Sequence, residues 1–359
     1  FEVTIGATRS VTVYTGNESE EKAQTTYNYN YAATGIKTIT AFSYGAADQL
    51  TKSVTYRATG TLASPAQGAV RSVTEYSGNE SEEKAQKTFN YNFAGTSIKT
   101  VTAFEYGAQD QLLKSVTSRN SQYFSSTTFE VTIGATRSVT VYTGNESEEK
   151  AQTTYNYNYD GTGIKTITTF EYGTSDELKK SVTFRASGTV TAPTMAQVRS
   201  VTVYFGNESE EKAQTTFNYN FAATGIKTIT SFEYGAAEQL TKSTTFRAAG
   251  TLEAPVQDKV RSVTEYSGNE SEEKALKTYN YNYAATGIKT ITSFEYGAAD
   301  QLTKSTTFRA AGTLTAPTQG AVRSVTVYSG NESEEKAQTT YNYNYDGTGI
   351  KTITTFEYG

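Results

Sequence analysis

Asn-Glu-Ser occurs six times in this chain, at Asn17, Asn79, Asn145, Asn207, Asn269 and Asn331, always inside the segment Gly-Asn-Glu-Ser-Glu-Glu-Lys-Ala. The triplet meets the N-x-[ST] acceptor pattern for glycosylation, and the same residues also read as a plain turn in which Gly-Asn supplies positive φ. The neighbouring Glu20 and Glu21 could offer oxygen ligands to Ca²⁺, but they lack a DxDxDG-type spacing and run directly into Lys22, which reads as a solvated acidic turn. Runs such as Tyr27-Asn28-Tyr29-Asn30-Tyr31 could stack sugars as exposed platforms or pair across strands as a one-sided core. Carboxylate pairs for glycoside hydrolysis are formally present. Each recurrent one sits in a polar turn or beside Lys, with no neighbour expected to raise its pKa.

The inventory narrows the chemistry. The 359 residues include no Cys, no His and no Trp, and one Met, so disulfide, thiolate and imidazole chemistry and ordinary zinc ligation have no residues to run on. We expect no enzyme and no cofactor. A net charge of −5, with basic residues spread evenly, gives no cationic stripe for phosphate, so nucleic acid is not an expected partner. No stretch has the roughly 20 apolar residues of a membrane-spanning helix. Hydrophobic residues make up 36%, and much of that is 28 Tyr and 17 Phe, against about 45–50% apolar in ordinary domains. The core must be thin and aromatic.

These features recur because the chain is a tandem array. Arg-Ser-Val-Thr anchors six copies at Arg9, Arg71, Arg137, Arg199, Arg261 and Arg323, spaced by 62 residues with one step of 66. The organisation read from this is 1–7 as the end of a preceding copy, then 8–69, 70–135 with an insertion around Ser121 to Thr128, 136–197, 198–259, 260–321, and a partial copy at 322–359. Beginning without Met and stopping partway through a copy, the chain reads as a stretch of a longer, exported polypeptide.

Within the first copy, four segments rich in β-branched and aromatic residues predict strands at Arg9 to Tyr14, Thr25 to Tyr31, Ile36 to Tyr44 and Leu50 to Tyr56. The connector from Ala58 to Ala69 carries Pro65, and Pro193, Pro255 and Pro317 occupy its equivalents. Alternation then places Tyr27, Tyr29 and Tyr31 on one face. A tight hairpin at 32–35 sets Tyr31 against Ile36 and Tyr29 against Thr38, so the aromatic face continues through Phe42 and Tyr44 to Leu50, Val54 and Tyr56. Asn28, Asn30, Lys37, Ser43 and Thr55 take the other face. Lys52 on the aromatic side and Ile39 on the polar side fit poorly, and the register of the first strand stays open. A lone four-stranded sheet leaves its apolar side and edges bare. Tandem copies cure this by pairing with one another. The expected fold is all-β: four-stranded repeats in a continuous antiparallel meander coiled into a solenoid or tube, rather than six small domains on a string.

The stretch Tyr155-Asn156-Tyr157-Asn158-Tyr159-Asp160-Gly161-Thr162-Gly163-Ile164-Lys165-Thr166-Ile167-Thr168 resembles the YD repeats of the RHS family. Only the third and sixth copies carry the Asp, at Asp160 and Asp346. The resemblance implies a spiralling β-sheet shell of the kind used for toxin cages and cell-surface contacts; the uniformity of the copies favours an extended filament over a closed cage. Together these readings lead to a structural segment of a large extracellular microbial filament or surface fibre, partnered by neighbouring repeats or copies of itself. The alternatives are a multivalent adhesin for glycans or host receptors, and an RHS-type shell around a toxin. Tyr27, Tyr29, Tyr31, Phe42 and Tyr44 are expected to form its structural aromatic ladder.

Overall fold

The computed structural model describes residues 8–358 except 19, 30–34, 93, 121–132, 237, 269–272, 298–299 and 331–334. Tyr31, Asn269, Asn331, residues 1–7 and the insertion at 121–128 lie outside the described residues. Among those described there are twenty-three strands and no helix, arranged as an antiparallel meander of solenoid-like repeats. The all-β expectation holds.

The chain forms two compact units, one of Phe1–Ile164 with Gly297–Gln301 and Gly330–Glu332, the other of Lys165–Tyr296, Leu302–Ser329 and Ser333–Gly359. In each, successive strands are paired neighbours. The first copy supplies β1 (Ser10–Thr15), β2 (Lys22–Tyr29), β3 (Ile36–Tyr44) and β4 (Leu50–Thr61), and the second opens with β5 (Ser64–Ser77) and β6 (Lys84–Tyr91). Pairing runs β1 to β2, β2 to β3, β3 to β4, β4 to β5 and β5 to β6. In the second unit the same order repeats from Leu178–Thr189 through to Ile350–Thr355.

The expected connector at 58–69 is strand instead. Ala58 faces Gln67 and Gly60 faces Pro65, closing on a two-residue turn at 62–63. Pro65 is tolerated because it is the second residue of an arm exposed at its tip, and Pro255 and Pro317 each open their strand.

The face assignment also changes. Tyr27 faces Ile39, Asn28 faces Thr38, and Tyr29 faces Ile36, so Lys37 is an extra residue on β3. That bulge puts Ile36 and Ile39 on one face although they are three residues apart. Ile36 (2% exposed), Ile39 (6%) and Ala58 form a core against which Tyr27 and Tyr29 pack. The expected register was one residue off, and a one-residue slip exchanges the faces of everything beyond it. Phe42, facing Ser53, and Tyr44 therefore lie opposite to Tyr27, and the single ladder Tyr27, Tyr29, Phe42, Tyr44 is split between the two sides of the sheet. Val11 faces Tyr27, which fixes the first strand's register and adds Val11 and Val13 to the Ile39 side.

The other side is polar and is also partly buried. Thr12, Thr26, Thr40 and Thr55 stand in one row across β1 to β4, with Thr12 and Thr26 hydroxyls 2.9 Å apart and Thr40 and Thr55 3.0 Å apart. Asn28 donates to the Thr38 hydroxyl at 3.1 Å. At the copy boundary Thr55 faces Ser72, while Thr74 faces Ser53. Each copy is thus displaced two residues along the strands from the one before it, roughly 7 Å.

Candidate functional site

The boundary between copies is where the repeated residues converge. Glu83, just before β6, accepts the backbone N–H of Leu50 at the start of β4, 2.6 Å away. Ser53 and Tyr76 hydroxyls share a hydrogen bond of 3.2 Å in the middle. Towards the other end Arg57 donates to the Val70 carbonyl at 2.6 Å and to the Asn92 carbonyl at 3.2 Å. One strand is therefore held to the following copy at its beginning, middle and end. The set recurs: Leu112 N–H on Glu149, Leu178 on Glu211, Leu240 on Glu273 and Leu302 on Glu335, all at 2.6–2.8 Å. Arg185, Arg247 and Arg309 hold the carbonyls of Val198, Val260 and Val322.

The Gly-Asn-Glu-Ser segment is an exposed turn. Gly78 has φ +132°, and a Cβ there would lie 2.5 Å from the Glu82 carbonyl oxygen, so Gly is required. The second positive φ belongs to Ser81 (67°) and not to Asn79, which corrects the Gly-Asn expectation. The Asn79 side-chain amide donates to Glu82 at 3.1 Å, as Asn17 does to Glu20, Asn145 to Glu148 and Asn207 to Glu210. These four sequon asparagines are solvent-exposed. Glu82 and Glu83, the second copy's equivalents of Glu20 and Glu21, diverge, Glu82 accepting from Asn79 and Glu83 from Leu50. Among the described residues no cluster of three or more acidic side chains could hold a metal.

Lys22 bridges this turn to the next ones, 2.6 Å from Asp48 and 3.5 Å from Glu80 of the second copy. The hydrogen bond to Asp48 holds its pKa above the usual lysine value. Between the turn and the β3–β4 hairpin lies a groove, about 550 Å³ in the fourth copy, lined by Phe205, Asn207, Lys212 and Tyr234 among others. In the second copy it is about 430 Å³ and includes Asn79, Lys84, Tyr106 and Asp110.

Of the tyrosine runs, the first two members are structural. Tyr27 and Tyr29 are half-buried against Ile36 and Ile39, and Phe89, Tyr91 and Tyr279 are buried. On the opposite side the Tyr44 hydroxyl donates to the Ala23 carbonyl at 2.9 Å, and burial raises its pKa. The third member leaves the strand. In the fourth copy the hairpin closes at Asn220, whose N–H donates to the Gly225 carbonyl, so Phe221 stands in the turn. Tyr159, Phe221, Tyr283 and Tyr345 are 77, 82, 83 and 84% exposed. Under each lies a guanidinium: Arg119, Arg185, Arg247 and Arg309 sit 4.8–5.0 Å from the ring centroids. These are the arginines of the copy-boundary clasp.

Sequence reasoning missed the clasp and the threonine rows. The recurrence of Glu, Leu and Arg at fixed places signals them, as does the Thr at every alternate position, but only the register shows which copy each side chain touches.

No protein-family model matches the chain, and no curated protein matches it. Among solved structures it is similar to TcdB2-TccC3-TEV, at 12% identity over 92% of this chain and 19% of that one with a TM-score of 0.25. It is similar to TcdB2-TccC3 without its hypervariable C-terminal region, at 10% identity over 93% and 20% with a TM-score of 0.25. A third is a porin-like protein from Bacteroides uniformis ATCC 8492, at 10% identity over 65% and 91% with a TM-score of 0.28. The chain spans about a fifth of the length of the two TcdB2-TccC3 molecules. With TM-scores this low, none of the three weighs in the functional reading. The repeat-type β fold stands on the chain's own strand pairing. Among the described residues no helix is long and apolar enough to cross a membrane, which says nothing of crossing by strands.

Proposed function

We propose that the chain is a non-catalytic, load-bearing repeat segment of a large extracellular filament or surface fibre. The observation that carries this is the clasp. In a meander the load passes from strand to strand, and a strand pair pulled at one corner unzips bond by bond. Leu50 to Glu83, Ser53 to Tyr76 and Arg57 to Val70 and Asn92 distribute side-chain staples along β4 from Leu50 to Arg57, so unzipping from the Leu50 corner meets a staple at once and opening of the arm beyond Arg57 stops at that residue. Glycosylation of the exposed sequons and an extracellular location belong to this reading. Kinship with RHS repeats does too, supported by the Tyr-Asp-Gly turn in which Asp160 accepts the Thr162 N–H at 3.0 Å and its hydroxyl at 2.7 Å.

Single-molecule extension of the 359-residue chain tests the proposal. Whole copies should yield together, each releasing roughly 210 Å of chain, about 62 residues at 3.4 Å apiece. Continuous peeling at near-zero force would sink it. A second reading, a multivalent binder of glycans or receptors, is favoured by the exposure of Tyr159, Phe221, Tyr283 and Tyr345.

A further inference from the structure

We propose that the hairpin-end rings are a homotypic docking row, along which a second copy of this chain lies ring against ring. The inference rests on the fibre reading and supplies its lateral contact.

Each ring is a prepared surface. Arg185, Arg247 and Arg309 cover one face of Phe221, Tyr283 and Tyr345 at 4.8–4.9 Å while their guanidinium groups are tied to backbone carbonyls. The guanidinium is therefore fixed before any partner arrives and biases the ring towards this position, which lowers the ordering cost of contact. The other face is left to solvent. Phe stands at 221 where Tyr stands at 283 and 345, so the ring and not the phenol hydroxyl is the common element. That disfavours a partner recognised by hydrogen bonding and suits an aromatic partner at offset or edge geometry.

Repetition identifies which partner. Four strands per copy place successive rings of the second unit roughly 20 Å apart. A second copy of the chain has the same interval, so every ring meets a ring whatever the number of copies, and weak contacts add. The area is that of a weak contact. Three rings on each of two chains, at about 150 Å² apiece, bury at most about 900 Å². The flanking Ala222 and Ala284, both exposed, add to this without reaching the roughly 1,200 Å² at which specific interfaces begin, so the contact gains its strength by repetition. Tyr159 with Arg119 repeats the arrangement in the first unit.

Sedimentation velocity of the 359-residue chain from about 1 to about 100 µM is the test. The wild type should pass from monomer to dimer within that range. Replacing all four rings (Tyr159→Ser, Phe221→Ser, Tyr283→Ser, Tyr345→Ser) should weaken association at least about tenfold with the far-ultraviolet spectrum unchanged. The variant Tyr159→Phe, Tyr283→Phe, Tyr345→Phe should associate like wild type, which guards against misfolding as the cause. A wild type that stays monomeric at 100 µM overturns the proposal, as does association that survives loss of the rings. Ring-dependent retention on a polysaccharide matrix by a monomeric wild type would replace it with a glycan surface. None of these outcomes touches the force response of single chains, so the fibre reading stands or falls separately.

Discussion

The Glu83 carboxylate accepts the Leu50 N–H at 2.6 Å across the boundary between two copies, so one copy's turn holds the last strand of the copy before it. A part-buried N–H deprived of its acceptor costs about 1–3 kcal/mol. In an array whose energetics are nearest-neighbour, that cost stays local. Glu83→Ala should therefore speed amide exchange at Leu50 by at least tenfold while leaving Leu240 and Leu302 unchanged. Glu83→Gln keeps an oxygen acceptor without the charge and should fall between. Unchanged exchange at Leu50 in the Ala variant would show the bond to be incidental.

The threonine rows make a second prediction. Thr40 and Thr55 hydroxyls share a 3.0 Å bond, so Thr40→Val alone leaves Thr55 without its partner, at a cost of about 1 kcal/mol, whereas Thr40→Val with Thr55→Val removes both polar groups and keeps the β-branched shape. The double variant should be the more stable of the two. A double-mutant cycle on thermal unfolding measures this, and strict additivity would mean that the bond contributes nothing.

Copies differ at the hairpin end, and the difference sets a third prediction. In the third copy Thr162 N–H goes to Asp160, while in the fourth Thr224 N–H goes to Asn220 at 3.0 Å because Ala222 replaces the Asp. Asn158 meanwhile accepts the Gly163 N–H at 3.2 Å, so Asn158→Ala and Asn220→Ala each leave one backbone N–H without its acceptor and should cost alike, about 1 kcal/mol. Asp160→Ala should be nearly neutral, because Asn158 can assume the role Asn220 already performs. Proteolytic nicking at the two hairpins reports this: the two Asn variants should be equally sensitive with Asp160→Ala close to wild type, and a marked effect of Asn220→Ala alone would contradict it.

The exposed turns carry a fourth. If Asn79 is an acceptor in native material, mass spectrometry of the protein isolated from its source should find glycan at Asn79 and at Asn17, Asn145 and Asn207, which share its exposure and its bond to the third residue on. Unmodified peptides at all four would remove glycosylation from the proposed function.

Strand number, hairpin order and the polar turns were legible because they depend on local signals: β-branched and aromatic runs, Gly-Asn, and the spacing of Arg9 and Arg71. The faces were not. They hinge on Lys37 being an extra residue in β3, and nothing in Tyr-Asn-Tyr-Asn-Tyr followed by Ile-Lys-Thr-Ile announces a bulge. Once Tyr29 rather than Tyr31 faces Ile36, the Ile39 misfit disappears, and Phe42 and Tyr44 move to the threonine side. The same displacement carries Tyr159, Phe221, Tyr283 and Tyr345, the last rings of their runs, out of the strand. The arm at 58–69 was misread because Gly60 and Pro65 are turn residues by composition, yet pair with each other in a two-stranded extension.

Alkaline titration separates the two populations of tyrosine. Burial raises the pKa of Tyr44, Tyr91, Tyr106, Tyr219, Tyr234 and Tyr279, and takes Tyr296 to about 12. A phenol whose folded pKa lies above its unfolded value of about 10 favours folding through its neutral form. That contribution is whole below pH 10 and is lost as pH rises from about 10 through about 12. Phenolate absorbance should therefore rise in two steps, the second coinciding with loss of β-structure. Tyr296→Phe removes one group from the second step and should shift the unfolding midpoint to higher pH. A single step near pH 10 with the sheet intact would mean that these rings are not buried, and that the aromatic packing of the fold is wrong.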